Sequence, residues 1–182
     1  SAGAGEENLR VSVLPSFAQR WPLPRMAAWR EQHPQFALEL HSSQQLVDLA
    51  RDGFHAALRS GAGPWRGLAA ERLLDSPWIV VGSPEAAQRL RGAPATALAE
   101  EPLLGDGPMW QGWFELAGHK VRVRPVAEFN DAGLMLQAAE QGLGLALARE
   151  VLAADALDGG RLVRLSPITY EDPDAHPYWL VY

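Results

Sequence analysis

An alternation of strand and helix patterns in the first sixty residues constrains this chain more than any other feature. Residues 9–14 (LRVSVL) and 36–40 (FALEL) alternate apolar and polar side chains as strands do, and residues 54–58 continue the series. Between the first two segments, apolar residues recur at helical spacing as far as His33 and Pro34, where the proline ends the helix. Strands joined by helices form parallel sheets, so this order predicts an α/β fold.

The same rhythm begins again after Ser83 and Pro84, which predicts a second α/β unit. We predict that residues 9–82 and 161–182 form the first unit, that residues 83–160 form the second, and that residues 1–8 are a linker or tag remnant. The elements predicted beyond residue 60 are strands at 68–74, 77–82, 102–104, 121–129, 143–148, 161–165 and 178–182, and helices at 85–90, 109–117, 131–141 and 149–157.

The charge balance argues against direct binding of nucleic acid. Of the 182 residues, 22 are acidic and 16 are basic, which gives a formal net charge of −6. A protein that binds phosphates needs clustered Lys and Arg, and the nearest approach is Lys120, Arg122 and Arg124 on one face of a predicted strand. We interpret that face as solvated. No apolar stretch approaches the ~20 residues that a membrane helix needs.

The sequence lacks the motifs of common enzyme classes. It contains no cysteine, which excludes a disulfide framework, a thiolate zinc site and a cysteine nucleophile. Gly142 and Gly144 lack the third glycine of a dinucleotide fingerprint, and the five histidines have no two-histidine helical spacing for a metal. No Gly-x-Ser-x-Gly elbow is present. We therefore predict no catalytic residue, no metal and no cofactor.

Polar residues at predicted strand ends are candidate ligand contacts, because ligands of open α/β sheets collect at the carboxyl ends of strands. Ser16 follows the first strand and precedes a helix, so its hydroxyl and the amides beside it, with Phe17 next in sequence, are predicted to hold a ligand carboxylate. The alternative for Ser16 is a plain turn or cap serine. Ser42, Ser43 and Gln44 end the second strand. We expect one serine to cap a helix through Leu46, Val47, Leu49 and Ala50, which Gly53 ends, and the other serine to contact the ligand.

The second unit offers further candidates. Asp131 lies between a predicted strand and a helix, and it is expected to cap that helix or to contact the ligand. Ala132 and Gly133 would then offer bare backbone N–H groups. Trp110 and Trp113 lie three residues apart on one helix face; burial in the core is the usual explanation, and the alternative is that Trp110 contacts the ligand.

Arg59 ends a strand that is predicted to be buried. A buried charge must be paired, because its desolvation is costly. We predict an ion pair with Asp48 or Asp52 rather than a ligand contact.

Short motifs with a distinctive order and spacing run through residues 9–182. They are residues 11–18 (VSVLPSFA), 20–21 (RW), 23–25 (LPR), 33–34 (HP), 46–53 (LVDLARDG), 58–61 (LRSG), 73–75 (LLD), 83–84 (SP), 129–133 (FNDAG) and 138–144 (AAEQGLG). Together they resemble the effector-binding domain of LysR-type transcriptional regulators, in the subgroup that contains the glycine-cleavage and β-lactamase activators. Two departures are His55, where the family usually has an acidic residue, and Pro22, where Leu or Val is common.

The resemblance implies two Rossmann-like subdomains of the periplasmic-binding-protein type, joined by two crossover strands, with a small ligand in the cleft between them. It implies that relatives have Thr at Ser16 as a ligand contact and use a Tyr at the position of Tyr178. It also implies that Asp48 aligns with a residue that holds the inactive state. The alternatives are a core or interface aromatic for Tyr178 and a solvated helix carboxylate for Asp48.

The function implied is a cytoplasmic sensor that recognises a small anionic metabolite or peptide-like molecule. The full regulator is expected to assemble as a homodimer or homotetramer and to reach promoter DNA only through a winged helix-turn-helix ahead of Leu9, with no membrane partner. A solute-binding module of a transport system is the alternative, and an enzyme on the same scaffold is a third possibility.

Overall fold

The computed structural model describes residues 7–45, 48–172 and 176–182. Its strands are β1 (Glu7–Val13), β2 (Phe36–Ser42), β3 (Ala56–Ser60), β4 (Ala70–Leu74), β5 (Trp78–Gly82), β6 (Leu103–Leu104), β7 (Leu145–Arg149), β8 (Val163–Arg164) and β9 (Tyr178–Val181). Its helices are α1 (Pro15–Arg20), α2 (Pro22–Gln32), α3 (Leu49–Asp52), α4 (Pro84–Arg89), α5 (Ala95–Leu98), α6 (Gly107–Leu116), α7 (Ala132–Glu140) and α8 (Glu150–Asp158). The chain divides into two compact units, Ser1–Asp75 with Ala175–Tyr182, and Ser76–Asp174.

The first unit is built on a sheet with the strand order β2-β1-β3-β9-β4. Strand β1 pairs in parallel with both β2 and β3, which confirms the parallel sheet predicted from the first sixty residues. Strand β9, from the end of the chain, lies between β3 and β4 and runs antiparallel to both. Strand β9 thus belongs to the sheet of the first unit.

Prolines and apolar residues shape the helices on this sheet. Both α1 and α2 begin with a proline. Proline lacks an N–H, and this costs nothing in the first helical turn because N–H groups there have no partner within the helix. This start accounts for Pro22, at which the family pattern is not followed. The buried apolar side chains of the unit are Val13, Phe17, Ala18, Leu49, Ala57, Tyr178 and Val181.

The departure at His55 also has a structural explanation. Its backbone N–H donates to the carbonyl of Arg10 at 2.9 Å, and its Nδ1 accepts from the amide of Arg10 at 2.9 Å. The imidazole therefore supplies a hydrogen-bond acceptor next to β1, as a carboxylate would.

The second unit has a sheet of order β6-β7-β5-β8 with helices packed against it. Strand β6 is parallel to β7, whereas β5 is antiparallel to both β7 and β8. The core of this unit contains Trp110, Trp113 and Phe114, which are fully buried on α6, and Val80 of β5.

The boundaries of the units differ from those predicted. Residues 76–82 were assigned to the first unit, yet β5 pairs with β7 and β8, so they lie in the second. Residues 161–172 belong to the second unit as well, because β8 pairs with β5 and Tyr170 bridges Trp78. At the start of the chain, Glu7 and Asn8 are part of β1 rather than of a linker, and residues 1–6 lie outside the described residues.

The strand predicted at 121–129 is wrong. In this segment only Ala127 makes a bridge, to Leu104 of β6. Pro125 has no N–H to donate, and the amide of Val123 donates to the side chain of Gln111 at 3.4 Å instead of to a strand. The alternation of valine and arginine therefore reflects an extended loop.

Candidate functional site

Several predicted site residues lie at the carboxyl ends of the parallel strands in the first unit. Ser16 is the second residue of α1 and is half-buried. The amide of Ser43 donates to the carbonyl of Val13 at 3.0 Å, which holds the end of β2 against the end of β1. Ser42 and Gln44 flank Ser43 and are exposed.

The serines after β2 do not cap the next helix, and this prediction is wrong. The hydroxyl of Ser43 accepts from the amide of Gln45 at 3.1 Å and so stabilises a turn. Helix α3 begins only at Leu49 and is capped by Asp48, whose Oδ1 accepts from the amide of Arg51 at 3.1 Å. Leu46 and Val47, which the predicted helix included, lie outside the described residues. The helix ends at Gly53 as predicted, with φ of 75°.

Asp48 therefore has a structural role in the local fold. Besides capping α3, it donates its own amide to Oδ2 of Asp52 at 3.1 Å. Its involvement in a switch remains a prediction.

Phe17 and Tyr178 form an aromatic pair within the first unit. Their ring centroids lie 4.7 Å apart, and both side chains are buried. Tyr178 is placed between Ser60 of β3 and Leu74 of β4 by the pairing of β9. Phe17 is only 1% exposed, so it is part of the core of the unit, and its contact with a ligand stays a prediction.

Arg59 and Ser12 are the functional candidates that sequence reasoning missed. The predicted ion pair of Arg59 is absent: within the described ranges, no carboxylate lies within ion-pair distance of its guanidinium. Nη2 donates instead to the hydroxyl of Ser12 at 2.8 Å, and burial lowers the pKa of Arg59. Ser12 is fully buried on β1, and its place in an alternating strand could have identified it as an inward-facing polar residue.

In the second unit, Asp131 is the N-cap of α7, as one of its two interpretations predicted. Its Oδ1 accepts from the amide of Gly133 at 2.7 Å. The amide of Gly133 is therefore engaged and not bare, which corrects the expectation for that residue. Ala132, at the first position of α7, is half-buried, and its contact with a ligand stays a prediction.

Trp110 leaves the set of candidate ligand contacts. It is fully buried in the core of the second unit, and its indole N–H donates to the carbonyl of Leu104 at 2.8 Å. Trp113 is equally buried and donates to the carbonyl of Ile168 at 3.2 Å. The core interpretation of this aromatic pair is the correct one.

Arg10 of β1 and Glu39 and His41 of β2 form a charged cluster. Nε of Arg10 donates to Oε2 of Glu39 at 3.0 Å, and Nε2 of His41 lies 3.3 Å from the same oxygen. The hydrogen bonds from His41 and from Arg10 hold the pKa of Glu39 below its usual value of 4.5. In the part of the chain that the structure describes, no group of three or more His, Cys, Asp or Glu could hold a metal ion. No helix there has the length and apolarity required to cross a membrane.

Residues 2–182 match the family described as LysR substrate binding domain. This chain belongs to the LysR substrate-binding domain family. The LysR domain is 35% identical over 181 residues to the transcriptional activator AmpR of Citrobacter koseri, a match that covers 99% of this chain and 62% of the relative. It is 32% identical to the glycine cleavage system transcriptional activator of Escherichia coli K12, over 85% of this chain and 52% of that protein. The LysR domain thus spans 62% of the length of the first relative and 52% of the length of the second.

Solved structures show the same fold. The effector domain of AmpR from Pseudomonas aeruginosa superposes with a TM-score of 0.76 at 31% identity, covering 96% of the LysR domain and 85% of that chain. The regulatory domain of CrgA from Neisseria meningitidis matches with a TM-score of 0.74 at 24% identity, covering 97% and 89%, which supports the fold alone. These matches confirm the resemblance and the two-sheet α/β fold of the periplasmic-binding-protein type. The curated relatives named here are regulators of transcription.

Proposed function

We propose that this effector domain binds a small anionic metabolite at the carboxyl edge of the first-unit sheet and that binding controls the regulator. The observation that carries the proposal is that Ser16 follows the end of β1 and that Ser43 is hydrogen-bonded to the end of β1 through Val13, so both hydroxyls lie at the carboxyl ends of neighbouring parallel strands. Hydroxyl groups are hydrogen-bond donors, and an anionic group is a ligand that such donors recognise. Membership of the LysR family supports a sensing rather than a catalytic use of these groups.

The whole regulator is part of the same proposal. We infer that a winged helix-turn-helix reads promoter DNA, that effector domains assemble as dimers or tetramers, and that the protein works in the cytoplasm. The acidic balance of the domain, with its net charge of −6, fits a sensor whose DNA contacts are made elsewhere. Ligand binding would act by population shift, so its differential affinity for two arrangements of the regulator sets the response.

The test begins with a thermal-shift screen of the domain against amino acids, aromatic acids, nucleobases and cell-wall peptides. A ligand at 100 times its dissociation constant stabilises the protein by about 2.7 kcal/mol, which such a screen detects. Ser16→Val and Ser43→Ala are then expected to weaken binding of the effector found. Thr96→Val is the matched control, because it removes an exposed hydroxyl from α5 in the other unit.

Two outcomes would contradict the proposal. If both serine variants bind the effector with unchanged affinity, the ligand site does not lie at the carboxyl ends of these strands. Turnover of the bound molecule, or a gene that encodes an export signal in place of a DNA-binding domain, would replace the sensor with an enzyme or a transport module.

A further inference from the structure

Arg59 on β3 is a buried cation whose contacts with the described residues are all uncharged. Arg59 is only 5% exposed. Nη2 donates to the hydroxyl of Ser12 at 2.8 Å and to the carbonyl of Gln45 at 3.3 Å, and Nη1 donates to the carbonyl of Leu58 at 3.2 Å. Across residues 7–45, 48–172 and 176–182, none of its hydrogen-bond partners is a carboxylate.

This arrangement is unusual in energetic terms. Burying a guanidinium removes its hydration, and proteins normally compensate with a carboxylate partner. Carbonyl and hydroxyl dipoles satisfy individual N–H groups but leave the net charge uncompensated. Burial accordingly lowers the pKa of Arg59, although a guanidinium in a protein stays protonated. An uncompensated charge of this kind favours the arrival of an anion.

The contacts also indicate where an anion would reach the guanidinium. Ser12 is fully buried, and its hydroxyl accepts from Nη2 of Arg59 at 2.8 Å. The Gln45 carbonyl is a weaker contact at 3.3 Å, and Gln45 itself is exposed in the turn that Ser43 stabilises. An anion would therefore reach Nη2 from the side of Gln45, by replacing the longer of the two hydrogen bonds that this nitrogen makes.

We propose that Arg59 is the anion-binding residue of this domain and that it takes up a carboxylate group of a small ligand through its planar N–H groups. Ser12 is the positioning residue, because its hydroxyl accepts from Nη2 and orients the guanidinium. A guanidinium pairs two N–H groups with the two oxygens of a carboxylate, which an ammonium cannot match in geometry. The inference rests on the proposed function and deepens it, because it names the charge that selects acidic ligands.

The experiment uses probes of defined charge on the whole chain. Acetate, succinate and glutarate are titrated against acetamide, succinamide and glutaramide, which carry no carboxylate, with sodium chloride at matched ionic strength, and the melting temperature is followed. At least one of the three acids is expected to raise the melting temperature saturably, whereas its amide and chloride do not. In Arg59→Gln this difference is expected to disappear, and in Arg59→Lys it is expected to weaken. Arg51→Gln, an arginine on α3 with a side chain 78% exposed, is expected to keep it.

Equal effects of acids and amides on the parent chain would overturn the proposal, as would an acid effect that persists in Arg59→Gln. If Arg59→Gln does not fold, the parent chain decides: the Nε–H resonance of Arg59 should shift saturably with an effective acid and stay in place with its amide. An unmoved resonance overturns the proposal. An identified effector whose affinity is unchanged by Arg59→Gln or Arg59→Lys would leave the proposed function intact and reject this site. If acids bind through Arg59 but no effector changes the activity of the regulator, the Arg59 site stands and the proposed function is rejected.

Discussion

At the scale of the residue, single aspartates set where helices begin. Asp48, Asp106 and Asp131 each accept from an amide in the first turn of α3, α6 and α7 respectively. A cap satisfies a donor that would otherwise have no partner within the helix, and its carboxylate interacts favourably with the positive end of the helix dipole. The site residues Asp48 and Asp131 therefore stabilise their helices whether or not they contact a ligand.

Asp131→Ala is expected to lower the free energy of unfolding by roughly 1 kcal/mol, since it removes the cap of α7. Asp131→Asn retains an acceptor oxygen and should lose much less. Urea denaturation of both variants and the parent measures the difference. Equal losses in the two variants would show that the cap hydrogen bond does not account for the effect.

Glu39 makes a pH-dependent contribution to stability, and its sign follows from the lowered pKa. Because hydrogen bonds from His41 and Arg10 hold the pKa of Glu39 below 4.5, the carboxylate stabilises the fold above about pH 4.5. That stabilisation is lost as the pH falls through the lower, folded-state pKa. Glu39→Gln should therefore reduce stability at neutral pH and flatten its fall below pH 4.5, with a small and salt-sensitive effect because the cluster is exposed.

The measurement for Glu39 is the melting temperature between pH 3 and 7, at low and at high salt. Glu31→Gln serves as the control, because Glu31 is an exposed carboxylate on α2 near the same sheet. Parallel pH profiles for the parent and Glu39→Gln would contradict the assignment.

At the scale of the element, two glycines near the start of β7 are required for different reasons. Gly142 follows α7 with φ of 84°, a conformation that side chains other than glycine's disfavour, and a Cβ there would meet nothing within 4 Å. Gly144 precedes β7, and a Cβ there would lie 2.6 Å from the carbonyl oxygen of Pro102. That oxygen accepts from the amide of Leu145 in the β6–β7 pairing, so it cannot move freely.

Gly144→Ala is accordingly expected to destabilise the protein more than Gly142→Ala, for which a loss of about 1–2 kcal/mol is expected from backbone strain alone. Denaturant unfolding followed by far-UV circular dichroism compares the two variants. A smaller loss in Gly144→Ala would mean that β6 and β7 separate without cost.

At the scale of the whole molecule, the last strand completes the first unit from the far end of the chain. Strand β9 pairs with β3 on one side and β4 on the other, so the first unit is discontinuous, whereas Ser76–Asp174 is a continuous segment with its own buried core. The stability of the two units should therefore respond differently to a change at the C-terminus.

Deletion of residues 176–182 is expected to unfold the first unit and to leave the second folded. Limited proteolysis should then cut within residues 7–75, while the near-UV circular dichroism of the buried Trp110 and Trp113 persists. Deletion of Tyr182 alone, which lies after β9, is the matched control. Loss of the tryptophan signal together with the first unit would show that the units do not fold independently.

The domain by itself is expected to show no tight, sequence-specific binding to DNA. Its acidic balance and the absence of a basic cluster in the sequence leave little to neutralise phosphates. Fluorescence anisotropy with promoter fragments at several salt concentrations measures this. A steeply salt-dependent, specific affinity would contradict the separation of sensor and DNA reader.

The sequence by itself determined the features that depend on local physics. Apolar periodicity located most strands and helices within a few residues, and Asp131 was identified as a possible cap because a cap acts within one helical turn. The ordered motifs of residues 9–182 identified the family, which its match over residues 2–182 confirmed.

Only the tertiary structure decided which segments and side chains meet across the chain. Strand β5 joined the second sheet because its partners are β7 and β8, and periodicity carries no information on the partner of a strand. Arg59 was expected to pair with Asp48 or Asp52, both close in sequence, yet Asp48 caps α3 and Arg59 reaches Ser12, which lies 47 residues away. The charge that we assign to ligand binding was therefore apparent only once its partners were known, because burial and pairing are properties of the folded chain.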